Sequence, residues 1–501
     1  MYQLIDKESA VYSLEKEVIL EREGRLLKVF CEDKGLLRFI KRSLTYTYRR
    51  VLRGKELYDK GRQMDFERRE CFVDMPGGIV TGAGFTMKLW RLLKEKGIQP
   101  KLLMGSDWKF PPDFSVLDDY EFRYKQLDCL ETLFKFPEGR ICCPTGFGKT
   151  FLIGVLCKLF PNKTFNISTY SIDALMTIYE RLQDLGVESG IYCSRKKTGE
   201  YRVMCVSGRS IPSVRHKMDF LILDEVHEFA TFRSIQNLMN LDAKRVYGFS
   251  ANLPGDRTDG VDFELEGIVG PLIFHVKYQE SVKGGNVSPV DVLWCRVGGK
   301  EVKVGDNQPV EFLRFNVWRN DVRNKRIAEV ARSFPNQQVL ITTAVLEHAL
   351  QIKRFLPEFE LCFGGSDRNA KLIRRMQAIY PELQNVKNIS NSERDRIRDL
   401  FSQGKLKKVI ATTVWDRAVD FKGLEVLIRA DALAAKVGSV QKPGRLSRIA
   451  FGKKRGLLVD FSDDFSETLR NKARIRRRTY RSLGWKEVSW SDAHAPGFFG
   501  V

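Results

Sequence analysis

The sequence contains no C-x-x-C pair, only five histidines, and no apolar run approaching the roughly 18 residues of a membrane span. Its ten cysteines are scattered apart from the adjacent Cys142 and Cys143. A zinc framework or secreted disulfide scaffold needs paired spacings, so these read as reduced, mostly buried thiols in a reducing compartment. The histidines are not spaced as ligand pairs, which argues against a transition-metal enzyme. Met1 to Ala10 places Lys7 between Asp6 and Glu8, unlike the basic-then-apolar start of a secretory signal. No low-complexity tract interrupts the 501 residues, and a soluble, cytoplasmic protein is the expectation. Forty-three per cent apolar and 29% charged residues suit a globular chain, of about three domains at roughly 100 to 200 residues each.

Acidic residues are the other shortage: 63 Asp and Glu face 84 Lys and Arg, a net charge of +21. Without a basic amphipathic anchor, that surplus points to nucleic acid rather than to a membrane. Residues 1–110 carry 23 basic against 16 acidic side chains and residues 465–501 carry 8 against 3, so 12 of the surplus charges lie at the two ends. Between Lys34 and Arg62, the basic Lys41, Arg42, Arg49, Arg50 and Arg53 alternate with Phe39, Tyr46, Tyr48 and Tyr58. Such a patch is either a phosphate-binding, base-stacking surface or a solvated helix face. The stretch Arg470 to Arg481, which includes Arg476 and Arg477, contains no acid. It reads as a helix that either tracks a phosphate backbone or docks on an acidic surface of its own protein.

Residues 1–115 read as a small α+β domain, with strand pieces at Lys28 to Cys31 and Gly78 to Thr81 and a helix from Phe85 to Lys96 ending at Gly97. Pro111-Pro112 marks a linker. From 116 to 275, short apolar runs (Gly139 to Cys142, Thr164 to Ser168, Val203 to Val206, Phe220 to Leu223, Val246 to Phe249) alternate with helical segments, the pattern of a parallel sheet built from βαβ units. Residues 276–320 read as an irregular linker with a hairpin near Val297-Gly298-Gly299. A second alternating set from 321 to 482 predicts a second α/β domain, and 483–501 a tail.

Cys143-Pro-Thr-Gly-Phe-Gly-Lys-Thr150 follows an apolar strand and opens an apolar helix. In such a loop Thr145, Gly146, Phe147 and Gly148 offer backbone N–H groups to phosphates, Lys149 pairs their charge and the Thr150 hydroxyl holds Mg²⁺. The strict pattern has Gly where Cys143 stands. Seventy-five residues on, Phe220-Leu-Ile-Leu-Asp-Glu-Val-His227 ends an apolar strand in two carboxylates. Asp224 there can bind Mg²⁺, and Glu225 can orient and deprotonate the attacking water.

This D-E-V-H resembles the D-E-x-H box of superfamily 2 helicases and translocases, and further motifs follow in that family's order across about residues 116–482. Arg123 and Gln126, in Phe122-Arg-Tyr-Lys-Gln126, resemble its adenine-reading motif. Ser250-Ala251-Asn252 resembles its S-A-T coupling element, with Asn in place of Thr, and Ser168-Thr169 with Leu175 is loosely similar to a strand-contact motif. Thr412 and Thr413, through Ala418-Val419-Asp420, resemble the motif that reaches nucleic acid and nucleotide. Gln441-Lys-Pro-Gly-Arg-Leu-Ser-Arg448 matches Q-x-x-G-R-x-x-R. The resemblance implies two tandem RecA-like domains, ATP and Mg²⁺ as cofactors, His227, Ser250 and Gln441 as coupling residues, and Asp420 at the nucleotide. It also implies Arg445 and Arg448 as catalytic charges worth on the order of 10³ to 10⁵ in rate. Pro76-Gly-Gly-Ile-Val80 with its following helix, and Arg478-Thr-Tyr-Arg-Ser-Leu-Gly484, look like the phage UvsW-type branch-migration helicases. That finer likeness implies a monomeric motor in the host cytoplasm acting on branched or forked DNA in recombination, repair or replication. The ATPase motifs leave open an RNA helicase or restriction-system motor, and the departures at Asn252 and Ala418 an ATP-gated clamp that binds without moving.

Overall fold

The computed structural model describes residues 18–51, 64–214, 217–251, 260–305, 308–415, 421, 423–434, 443–450 and 452–500. Two compact units result, Met1–Cys143 with Gly148–Val276 and Pro144–Phe147 with Lys277–Val501.

The first unit holds a seven-stranded, all-parallel sheet in the order Ser189–Tyr192, Val203–Ser207, Phe165–Thr169, Lys217–Asp224, Asp242–Ser250, Glu138–Cys142 and Leu272–His275. Phe165–Thr169 and Val203–Ser207 are buried at every position. A parallel sheet covered on both faces explains why its strands read as continuous apolar runs rather than alternating ones. The same burial corrects the loose strand-contact match: Ser168 and Thr169 are enclosed, and the Ser168 hydroxyl donates to the Val206 carbonyl at 2.8 Å.

In the same unit the N-terminal residues form a five-stranded mixed sheet, Phe72–Met75, Gly78–Gly82, Leu26–Phe30, Ile19–Glu23 and Lys101–Met104. A separate antiparallel ribbon pairs Thr45–Val51 with Met64–Glu70. Side chains and close backbone contacts fasten this region to the parallel sheet and its helices. Arg22 meets Glu138 at 2.6 Å with both side chains about 6% exposed. The Tyr46 hydroxyl donates to Glu264 at 2.6 Å. Gly82 and Gly84 lie so near the helix Val261–Val269 that a Cβ would fall 2.2 Å from the Gly267 carbonyl oxygen and 2.1 Å from that of Glu266. Just before Pro111-Pro112, the Trp108 carbonyl accepts from Arg245 at 2.7 Å, and the guanidinium lies 5.3–5.4 Å from the rings of Trp108, Phe110, Phe160 and Phe220.

The second unit is another seven-stranded parallel sheet, in the order Glu360–Cys362, Lys408–Ala411, Val339–Thr342, Val426–Arg429, Gly456–Asp463, Val290–Val297 and Lys486–Val488. Two segments expected to lie outside it supply strands. Val290–Val297, from the supposed linker, pairs in parallel with Gly456–Asp463, so Gly298-Gly299 ends a strand instead of turning a hairpin. Lys486–Val488, from the supposed tail, forms the sheet's edge. Val290–Val297 is eight residues with a mostly buried pattern, and the Asp, Trp and Arg within it hide that from the apolar-run reading.

Arg476, a candidate nucleic-acid contact, instead takes the other course open to its helix and docks on an acid of its own protein. The helix Glu467–Ser482 buries Leu469, Ala473, Arg476 and Tyr480 along one face. Arg476 donates twice to Asp460, each bond 2.9 Å, and the Tyr480 hydroxyl adds a third donor to that carboxylate at 2.7 Å. Arg429 in turn donates to the Tyr480 hydroxyl at 2.9 Å and to Asp431 at 3.0 Å. Breaking a buried pair strands the remaining charge, so Arg476→Ala is expected to lose about 3–5 kcal/mol in chemical denaturation. A loss under about 1 kcal/mol, typical of an exposed ion pair, would contradict this reading.

Candidate nucleotide-binding site

Parallel pairing sets the C-terminal ends of three neighbouring strands of the first unit side by side. Cys142 is in register with Ser250, and Phe249 with Asp224, so the glycine loop, the acidic pair and the Ser250 segment leave the same sheet edge. The Cys143 N–H donates to the Ser250 carbonyl at 3.0 Å, continuing the ladder one residue past the strand. Ligands of open α/β sheets bind at such carboxyl ends.

The loop takes a shape that side chains resist: Gly146 and Gly148 have φ of 95° and 99°. The helix Lys149–Leu159 begins directly after Gly148 with no side chain capping its first N–H groups, leaving them to an anion. The Lys149 ammonium lies 3.5 Å from the Cys143 carbonyl, folded back along the loop. A Cβ at Gly148 would fall 2.4 Å from the Gln126 amide nitrogen and 2.9 Å from the Arg123 guanidinium, so these two side chains reach the loop itself. Gln126 is buried and accepts from the Arg123 N–H at 2.8 Å, across a left-handed Lys125 (φ 58°). Cys143, where the strict pattern has Gly, is fully buried beside the Cys129 thiol. Its side chain thus fills core beneath the loop, which is why the substitution leaves the loop's conformation intact.

Asp224 closes its strand half-buried. Burial first, and the charge of Glu225 second, push its carboxyl up to about 7, with Lys149 opposing the shift. Glu225 is left-handed (φ 50°), a conformation costing a non-glycine residue roughly 1–2 kcal/mol. The sharp turn aims consecutive carboxylates differently and carries the chain to His227. The His227 Nδ1 lies 2.9 Å from the Ser250 hydroxyl and 3.5 Å from a Glu225 carboxylate oxygen, joining the acidic box to the neighbouring strand. Among the described residues no cluster of three His, Cys, Asp or Glu ligands forms a transition-metal site. Asp224 and Thr150 instead offer the hard oxygen donors that Mg²⁺ takes.

Thr145, Gly146, Phe147, Lys149 and Thr150 thus share one loop and helix start, with Arg123, Gln126, Asp224, Glu225, His227 and Ser250 on adjoining segments of the fold. Thr412 is buried and its N–H donates to Cys362 at 3.0 Å, whereas Thr413 is exposed in a single turn Thr413–Trp415. Arg448 follows the short helix Pro443–Ser447, which contains Arg445. Asp420, Gln441, Asn252, Ala418 and Arg53 lie outside the described residues. Arg49 and Arg50 occupy the ribbon strand, Arg42 is exposed on the helix Lys34–Ser43, and Lys41 pairs with Asp74. Arg477 pairs with Glu487 at 3.0 Å. Motif spacing did not reveal Cys129, since only folding brings it to Cys143.

No protein-family model matches the sequence. Over 294 residues the chain is 20% identical to "Putative helicase 22" of Sulfolobus islandicus filamentous virus (isolate Iceland/Hveragerdi), covering 56% of this chain and 48% of that protein. The match therefore spans about half of that relative's length. Among solved structures, S. cerevisiae Dbp5 bound to RNA and ADP BeF3 superposes with a TM-score of 0.53 at 16% identity, covering 76% of this chain and 94% of Dbp5. The type ISP restriction-modification enzyme LlaBIII bound to DNA gives 0.50 at 12% identity, covering 80% of this chain and 34% of that enzyme. T4 UvsW covers 94% of this chain and 99% of its own at 13% identity, with a TM-score of 0.42. The two parallel sheets with their helices, preceded by a small α/β region, form a RecA-like fold. No helix among the described residues is long and apolar enough to cross a membrane.

The raised Asp224 carboxyl has a testable sign. Its folded value lies above the ordinary 3.8, so nucleotide- and metal-free protein loses stability as pH rises from about 4 to about 7. Asp224→Asn removes that loss. Thermal melts should show the variant more stable than the parent at pH 8, with the gap closing towards pH 4. A parent more stable than Asp224→Asn at pH 8 would contradict the assigned burial of charge.

Proposed function

We propose that the protein is an ATP-driven nucleic-acid motor, a helicase or translocase that remodels branched or forked DNA in recombination, repair or replication. The observation that carries this reading is the joining of the Lys149 loop, the Asp224-Glu225 pair and the His227–Ser250 bond at one sheet edge. Backbone N–H groups of Gly146 to Thr150 and the Lys149 ammonium bind the ATP phosphates. Asp224 and Thr150 would hold Mg²⁺, which would neutralise phosphate charge and keep Asp224 ionised. Glu225 orients a water and takes its proton. His227, bonded to Ser250, reports the state of the acidic box to the neighbouring strand. Gln126 holds the adenine, and Arg445 and Arg448 add positive charge to the transferring phosphoryl group. The basic N-terminal region supports contact with DNA arms, and the relatives' links to helicase and restriction activities support the motor class.

ATP hydrolysis measured side by side with single-stranded DNA, duplex DNA, forked DNA and RNA tests the reading. The expected order places forked DNA first, and Lys149→Ala should abolish the stimulated activity while keeping the parent's circular dichroism. Strongest stimulation by RNA would overturn the DNA assignment, and stimulation by none of the four would overturn the motor.

A further inference from the structure

The arginine-rich helix Glu467–Ser482 is divided by the fold into faces with different work. Arg476 is spent inside on Asp460, and Arg477 and Arg481 both lean on Glu487, at 3.0 and 2.9 Å. What is left is a row on the opposite face: Arg470, Arg474 and Arg478 are all exposed, one per turn. None of the three forms an ion pair with a described residue, and Arg474 meets only the Asn471 side chain at 3.1 Å. From Arg470 to Ser482 the helix contains no acid, so nothing on it offsets these charges. Ile475, 43% exposed, adjoins the row.

At 1.5 Å rise per residue, positions four apart repeat about every 6 Å, so the row spans about 12 Å. One strand of B-form DNA presents a phosphate about every 3.4 Å of axis, or three to four phosphates over that length. The regular spacing, the single sign of charge and planar guanidinium forks that fit phosphate oxygens together select a polyanion with a regular backbone. We infer that Arg470, Arg474 and Arg478 form a phosphate track binding the backbone of a nucleic-acid strand without reading its sequence. The inference rests on the nucleic-acid motor reading and adds to it a contact surface outside the motifs. An acidic polypeptide would meet the same charge, and polyglutamate serves as its probe.

The test is the salt dependence of full-length protein binding to a fluorescent duplex and to a fluorescent single strand. Each neutralised phosphate contributes about 0.9 to the slope of log K against log salt for duplex and about 0.7 for single strands. The triple variant Arg470→Gln, Arg474→Gln, Arg478→Gln should therefore lower the slope by about 2 to 3, equally for unrelated sequences. It should melt like the parent, because all three side chains lie outside the core. The control Arg477→Gln, Arg481→Gln should change the slope by less than about 1, since those charges already have a partner. An unchanged slope in the triple variant, with parent binding intact, overturns the track but leaves the motor standing. Loss of binding to polyglutamate with nucleic-acid binding intact also overturns it, in favour of a protein partner. A parent that binds no nucleic acid overturns both readings.

Discussion

Parallel register between three strands is the constraint on which the rest of this structure depends. Because Glu138–Cys142, Asp242–Ser250 and Lys217–Asp224 run the same way and end together, a glycine loop, a serine and two carboxylates share one edge. A slip of one residue would turn every side chain of a strand to the other face. The loop would then lose the Cys143-to-Ser250 bond that ties it to its neighbour. Buried runs on both sides of the sheet, and the stacked Phe165 and Phe220 rings 4.4 Å apart, hold that register.

The edge so formed holds charge where water is scarce. Asp224 is ionised with difficulty, and Lys149 is the cation that eases it. A site of this kind favours ligands that bring their own positive charge next to negative charge, as a magnesium-bound polyphosphate does. The left-handed turn at Glu225 belongs to the same arrangement. A strained residue persists only where its surroundings over-determine it, and here the surroundings are the strand on one side and the His227–Ser250 bond on the other.

Much of this was legible in the chain. The glycine loop and the Asp224-Glu225-Val226-His227 run stand out because their residues are consecutive, and the fully buried strands announce themselves as apolar runs. What stayed hidden depends on partners far away in sequence. Val290–Val297 carries Asp291, Trp294 and Arg296, so only its pairing with Gly456–Asp463 marks it as a strand. Arg476 is indistinguishable from its neighbours until Asp460 is placed beside it. Cys143 departs from the strict motif, and only the fold places the Cys129 thiol beside it. Basic residues are the least legible class, since one helix uses arginines for the core, for a surface pair and for open solvent.

In the proposed reaction, the sheet edge around Lys149, Asp224 and Glu225 hydrolyses ATP with Glu225 acting on the water. Glu225→Gln keeps the loop, the lysine and the Mg²⁺ donors but removes the proton acceptor. Single-turnover hydrolysis measured beside equilibrium ATP binding is therefore the most direct measurement. Binding should stay within a few-fold of the parent while hydrolysis slows by about 10²-fold or more. Hydrolysis at the parent's rate in Glu225→Gln would contradict it.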